Sequence, residues 1–176
     1  MSLMSTVARY GRTHRRGLDR RFWPRDAVAL GDDIRVVGES MVGMARAVGT
    51  PCTRVVEAID RGEWATGREG ESQRFCGVVV ATVELVAPSG DGEGVDVWLD
   101  AELDGCDPVA GSVRLLGRHA SDAQRAFTLR PAARRGELRA MLPTGIRAGD
   151  LLAFVVAEPV ALHDIRRRSW HRERLL

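Results

Sequence analysis

The chain has 176 residues, of which 44% are hydrophobic and 28% are charged, and its formal net charge is +2. This composition is typical of a globular protein, and no apolar run approaches the roughly 20 residues that a membrane span needs. All 26 basic residues are arginine. The absence of lysine excludes the lysine-dependent phosphate-binding loop, Schiff-base chemistry and the serine–lysine acyl-transfer motif.

Residues 1–25 predict an arginine-rich N-terminal arm without a sustained period. The segment lacks an apolar core region, so we do not expect it to be a secretory signal. Two interpretations of the arm stay open. Its arginines could lie along phosphates or in a minor groove of DNA. Alternatively, the arm is a solvated tail whose Phe22 and Trp23 dock on the body of the protein.

Residues 26–62 predict an α-helical segment made of two helices. Apolar side chains recur at spacings of three and four between residues 34 and 48, which is typical of an amphipathic helix. Gly49 then indicates a stop, and Thr50 followed by proline is a typical helix start. We therefore expect a second helix over residues 51–61.

The stretch from residue 41 to residue 61 resembles the helix-turn-helix of repressor and antitoxin DNA-binding domains. Ala45 matches the small residue between the helices, Gly49 the turn, and Val55 the apolar anchor of the second helix. In that family the second helix lies in the major groove of duplex DNA. The resemblance implies a DNA-contacting set of Arg46, Cys52, Thr53 and Arg54. The alternative is an ordinary pair of helices that packs on the rest of the chain.

Residues 74–162 predict a mainly β domain, an antiparallel β-sandwich or small barrel of about six strands. Short apolar or alternating runs recur at close spacing, and turn residues separate them without room for helices. The domain resembles an immunoglobulin-like sandwich in architecture only, because the Cys, Trp, Cys spacing of that family is not evident. The expected strands are residues 74–86, 95–103, 112–117, 125–130, 137–142 and 151–157.

Two of these strands have a predicted place in the sheet. Residues 74–86 are too apolar on both faces to be half-exposed, so we expect cover on both sides for part of their length. Residues 151–157 are apolar throughout and should be central.

The strand over residues 95–103 carries the main candidate for partner binding. Its aliphatic residues alternate with Trp98 and three acids, so one face should pack and the other should carry a tryptophan among carboxylates. A tryptophan on a charged face is a candidate partner anchor. The alternative is that another part of the chain covers it. The candidate set on this strand is Asp96, Trp98, Asp100 and Glu102.

The C-terminal residues 163–176 form a predicted basic tail around Trp170, which we add to the partner-binding candidates. The tail fits either a short amphipathic helix that meets an acidic partner or a membrane surface, or a frayed terminus.

Motifs for catalysis, metal binding or a cofactor are not found, so we expect a non-enzymatic protein without a cofactor. The four histidines are scattered, and Cys52, Cys76 and Cys106 form no C-x-x-C pair. An odd number of cysteines indicates reduced thiols and a cytoplasmic location. We expect an interaction or assembly protein that binds a protein partner or its own copies. The alternative is a helix-turn-helix transcriptional regulator whose β domain serves for dimerisation or sensing.

Overall fold

The structure is a computed structural model that describes residues 17–57, 75–90, 92, 94–120 and 123–166. It is mainly β, as the sequence predicted. A 3-10 turn, Ala110–Ser112, lies between the sixth and seventh strands. The other elements, in chain order, are β1 (Ala27–Leu30), β2 (Asp33–Val36), β3 (Glu39–Ser40), α1 (Met41–Val48), β4 (Cys52–Glu57), β5 (Phe75–Pro88), β6 (Val95–Leu99), β7 (Arg114–Leu116), β8 (Gln124–Ala133), β9 (Gly136–Pro143), β10 (Leu151–Val156) and α2 (Leu162–Ile165).

The large sheet is a half-barrel built around β5. Its path runs β7-β10-β5-β6-β8-β9, and β4 pairs with β5 in addition. β10 pairs with the first part of β5 along one edge. Along the opposite edge, β4 pairs with residues 75–80 and β6 with residues 83–88. β4 and β6 therefore lie end to end beside one long strand.

β5 and β10 separate two hydrophobic cores. Val79, Ala81 and Val83 of β5 point into the half-barrel, where Phe154 of β10 joins them. The alternate residues of the same strands belong to a second core on the outside of the sheet. The predicted cover on both sides of the first strand is therefore confirmed for the first part of β5, and β10 lies centrally between β5 and β7 as expected.

The outer core is covered by the N-terminal part of the chain. β1, β2 and β3 form a small antiparallel sheet, and α1 packs beside it. Met41 and Val36 are fully buried there, and so is Val80 of β5. The expected docking of Phe22 and Trp23 on the body is found: Trp23 is buried, and the Phe22 ring fills the space beside Gly111 that a side chain would need. Residues 1–16 lie outside the described residues.

The second predicted helix is wrong. Residues 52–57 form β4, and residues 58–61 lie outside the described part of the chain. The stretch contains Thr53, Val55 and Val56, whose β-branched side chains suit a strand. Pairing along β5 decides the outcome, because the backbone groups of residues 75–80 on that edge need partners. Without the second helix, the described residues do not form the helix-turn-helix that residues 41–61 resemble.

The first predicted helix is shorter than expected. Gly31 and Gly38 have positive φ and form turns on either side of β2, which contains Ile34. Of the residues predicted for the first helix, 41–48 are helical. Ser40 caps the helix, since its Oγ accepts a hydrogen bond of 2.8 Å from the Gly43 N–H. The predicted stop at Gly49 is confirmed.

The large sheet is mixed rather than antiparallel, because β6 and β8 run parallel. A parallel neighbour needs a long crossover, and residues 100–123 supply it by passing through β7 at the far edge. The sequence showed this segment only as turns and one short strand. The architecture is a half-barrel with a small three-stranded sheet, not two facing layers of an immunoglobulin-like sandwich.

The tip of the β2–β3 hairpin generates a stability prediction. Val37 and Gly38 both have positive φ, 52° and 79°, in a two-residue turn. A β-branched residue is strained there, whereas asparagine is favoured. We expect Val37→Asn to raise the free energy of unfolding by about 1 kcal/mol. Urea denaturation followed by circular dichroism measures it. Val48→Asn, at an exposed helical position, is the control and should give no gain. An unchanged or lower midpoint for Val37→Asn would contradict the idea of strain.

Candidate partner-binding surface

Among the described residues, nothing covers the outer surface of the half-barrel where the N-terminal layer ends. This surface, here called the Trp98 face, comprises the outward residues of the second half of β5 and of β6, β8 and β9. Leu85 and Trp98 are direct cross-strand partners, so their side chains lie on the same side of the sheet. Leu85 is 52% exposed and Trp98 is 38% exposed. The predicted alternation also holds, since Val97 and Leu99 point into the inner core.

A chain of charges crosses the same face. Arg130 Nε lies 3.2 Å from Asp96 Oδ2, and Arg130 Nη2 lies 3.0 Å from Glu137 Oε1. Arg139 Nη2 lies 3.3 Å from the other oxygen of Glu137. Arg130 thus joins acids of the two strands beside its own, whereas Arg139 pairs with an acid of its own strand. The two carboxylates and two guanidiniums of this chain of charges sum to zero, so they compensate one another.

Asp96 is more buried than an exposed acid of an amphipathic strand. Its side chain is 10% exposed, and its Oδ1 has no hydrogen-bond donor among the described residues. A buried carboxylate oxygen normally has a donor, because leaving it unsatisfied costs free energy. The carboxylate is held on one side by Arg130 and unsatisfied on the other. It lies beside Trp98 in sequence and is part of the same face.

Asp100, the third predicted acid, has a structural role. The Thr82 N–H donates to Asp100 Oδ1 at 2.8 Å, and Thr50 Oγ1 donates to Asp100 Oδ2 at 2.6 Å. The hydroxyls of Thr50 and Thr82 lie 2.5 Å apart. These contacts bridge the gap between the start of β4 and the end of β6 along β5. The Asp100 carboxylate thus supplies hydrogen bonds beside Thr82 of β5, at the position between the end of β6 and the start of β4.

The remaining partner candidates are not brought to the Trp98 face. Glu102 is half-buried, and its N–H donates to the Ile165 carbonyl at 2.8 Å, which ties the start of the crossover to α2. Trp170 lies outside the described residues, as do the other residues after Arg166. The described part of the predicted tail is the single turn α2, whose Ile165 is buried in the inner core.

The predicted DNA-contacting residues lie on a strand and on the helix before it. Arg54 Nη1 is 3.0 Å from Glu39 Oε2, an ion pair that joins β4 to the small sheet. Thr53 is half-buried, and Cys52 is 3% exposed, so Cys52 cannot touch DNA in this conformation. Arg46 is exposed in the last turn of α1. The four residues therefore do not share one exposed helix face.

The three thiols are not arranged for nucleophilic chemistry. Burial raises the pKa of Cys52 to about 11, with Asp100 adding to the effect, and burial raises the pKa of Cys76 to about 11. The pKa of Cys106 rises to about 12, again mainly through burial. A thiol is a nucleophile only as thiolate, so these groups are inert near neutral pH. Among the described residues, no three side chains of His, Cys, Asp or Glu converge to hold a metal ion.

Sequence reasoning missed Leu85 and Glu137 as members of the Trp98 face. A register shift between Val83 and Leu85 interrupts the alternation of β5, so the outward direction of Leu85 is not readable from spacing. Glu137 reaches the face only because β8 lies parallel to β6 and brings β9 with it.

Comparison with known proteins found no family model, no curated protein and no solved structure that matches this chain. Within the part that the structure describes, no helix is long and apolar enough to cross a membrane.

The charge chain generates a prediction about stability. Arg130→Met leaves the Asp96 carboxylate buried without its cation, so we expect a loss of about 2 kcal/mol in the free energy of unfolding. Adding Asp96→Asn should recover part of the loss, because the buried charge is then removed. Urea denaturation of both single variants and the double variant measures the coupling. Strict additivity of the two changes would show that the pair is not coupled.

The raised thiol pKa values generate a second prediction. A pH of 8 is well below the pKa of each native thiol, so the thiols are protonated, and all three are also buried. We therefore expect almost no fast reaction with a disulfide reagent such as dithionitrobenzoate. In denaturant all three cysteines should react. Rapid labelling of any cysteine in the native protein would contradict both the burial and the pKa shifts.

Proposed function

We propose that this chain is a non-enzymatic interaction protein whose Trp98 face binds a protein partner or a second copy of the chain. The observation that carries the proposal is the exposed cross-strand pair of Leu85 and Trp98 on a face whose charges are already paired. Tryptophan at the centre of a protein surface patch is among the side chains that contribute most to binding.

The charges of the face favour a protein partner over a nucleic acid. A phosphate backbone is bound by an excess of arginine or lysine, because binding is driven by release of counterions. On the Trp98 face Arg130 and Arg139 are offset by Asp96 and Glu137. A protein surface can cover such a face without supplying a counter-charge, and this lowers the cost of removing the face from water.

The position of the face in the fold supports the same proposal. The chain covers the outer surface of β5 and β10 with its own N-terminal layer, which packs on apolar residues such as Val78 and Val155. In the part of the chain that the structure describes, no such layer lies on the second half of β5, and Leu85 is exposed there. The bare half thus adjoins a surface of the same sheet that is already buried by a protein layer. The arginine-rich residues 1–16 and 167–176 are part of the proposal as further contact segments.

A cytoplasmic location belongs to the proposal, because Cys52, Cys76 and Cys106 are free thiols and a reducing compartment keeps thiols reduced. Duplex DNA binding stays the alternative. Arg46 and Arg54 are exposed or half-exposed and would supply phosphate contacts, although Arg54 already shares its charge with Glu39.

The proposal is tested with Leu85→Ser and Trp98→Ser against Val48→Ser, which changes an apolar residue on α1 that is more exposed than either. Sedimentation velocity over a wide concentration range measures self-association, and crosslinking in a native extract measures partner capture. We expect each face variant to weaken association by about 2 kcal/mol and the control to leave it unchanged.

Retention of both self-association and partner capture by the double variant Leu85→Ser/Trp98→Ser would refute the proposal. The DNA alternative is read in the same preparations by fluorescence anisotropy of labelled duplex across a salt series. Tight, salt-dependent binding that Arg54→Ala weakens would favour the alternative.

A further inference from the structure

A second surface feature lies at one end of the half-barrel, where the β8–β9 hairpin meets the crossover. Two clefts open on either side of the contact between Arg134 and Asp107. One, of about 230 Å³, is lined by Asp107, Arg135 and Glu137 together with the apolar Pro108 and Leu138. The other, of about 330 Å³, is lined by Asp104, Arg134, Glu158 and Asp164 together with Val160.

The frame around Asp107 is rigid. The Ala157 N–H donates to the Asp107 carbonyl at 3.0 Å, and the Arg134 N–H donates to the carbonyls of Leu103 and Cys106, both at 3.2 Å. The Arg134 guanidinium is also fixed, since its Nη2 donates to the Gly105 carbonyl. Hydrogen bonds thus fix the backbone that carries the Asp107 side chain, and a fixed backbone favours a preorganised site.

The Asp107 carboxylate is only half satisfied. The side chain is 10% exposed, and its Oδ1 is buried without a hydrogen-bond donor among the described residues. Its Oδ2 lies 3.1 Å from Arg135 Nε and 4.0 Å from Arg134 Nη1. Arg135 is 74% exposed, so solvent screens its ion pair and the side chain can leave Asp107 at little cost.

The charges around the clefts select a cation. Asp107 lines the first cleft, whose other charged residues are Arg135 and Glu137, and Glu137 is already neutralised by Arg130 and Arg139. When Arg135 swings away, the Asp107 carboxylate is left as an uncompensated negative charge in that lining. The second cleft adds three acids, Asp104, Glu158 and Asp164, against Arg134. The proline, leucine and valine walls suit an aliphatic stem, since long cationic side chains bury the stem and keep a polar head.

We propose that the cleft lined by Asp107 binds an aliphatic guanidinium or ammonium group, which donates to the Asp107 carboxylate after Arg135 swings away. The group can come from a free small amine or from an arginine side chain of a peptide, and the two sources share the chemistry that the cleft recognises. This site is separate from the Trp98 face and does not depend on the function proposed for that face.

The test is isothermal titration calorimetry of the full chain at low salt with three probes. They are agmatine, a short peptide with a single arginine, and the same peptide with citrulline in place of arginine. Citrulline keeps the shape of arginine but carries no charge. We expect agmatine or the arginine peptide to bind and the citrulline peptide to fail, and the comparison of the first two identifies the source.

Variants make the test decisive. Asp107→Asn should weaken binding at least about tenfold, which corresponds to the loss of a charge-assisted hydrogen bond. Arg135→Ala should strengthen binding, because it removes the cation that competes for Asp107 and leaves an exposed position that tolerates alanine. Glu39→Gln, an exposed acid of an ion pair in the N-terminal layer, is the control and should change nothing.

Three results would overturn the proposal: no binding of either cationic probe, equal binding of the citrulline peptide, or weaker binding by Arg135→Ala. Weaker binding by Arg135→Ala would show that Arg135 contacts the ligand, which is expected if the ligand is an anion. If Asp107→Asn does not fold, Arg135→Ala still decides the question, because it should strengthen binding of a cation and weaken binding of an anion.

Discussion

The fold depends on one strand that serves two cores at once. Residues 75–83 of β5 are apolar on both faces, and burying one face in the half-barrel leaves the other needing cover. The N-terminal layer provides it with Trp23 and Met41. Beyond Val83 the strand changes character, since it is buried on one face only. The arrangement of β4, the small sheet and the Trp98 face follows from this change along a single strand.

The two surfaces described here differ in how their charges are handled. On the Trp98 face Asp96 and Glu137 both pair with Arg130, which lies on the strand between them, so these charges compensate one another. At the Asp107 cleft the carboxylate faces two exposed arginines, and its Oδ1 is unsatisfied among the described residues. A face of the first kind suits a broad protein contact, whereas a cleft of the second kind suits one charged group.

The sequence predicts the local patterns and fails where tertiary pairing decides. The alternation of residues 95–99, the central position of β10 and the end of α1 at Gly49 follow from period and turn chemistry alone. The second helix failed because Val55 and Val56 fit a helical stripe and a strand equally well, and only the open edge of β5 distinguishes them. The parallel pairing of β6 with β8, and with it the Arg130 contacts, depends on a crossover that leaves no local signal.

The Asp100 bridge has a consequence for how β4 finds its place. A strand can slide by two residues along its neighbour and still point every side chain to the same face, because the side chains of a strand repeat with a period of two. Burial alone therefore does not distinguish Cys52 opposite Val80 from Cys52 opposite Val78. The hydrogen bonds of Asp100 to Thr50 and Thr82 make that distinction, because they form at one position only. The bridge acts as a stop that sets the register of β4, and with it the placement of the whole N-terminal layer on the sheet.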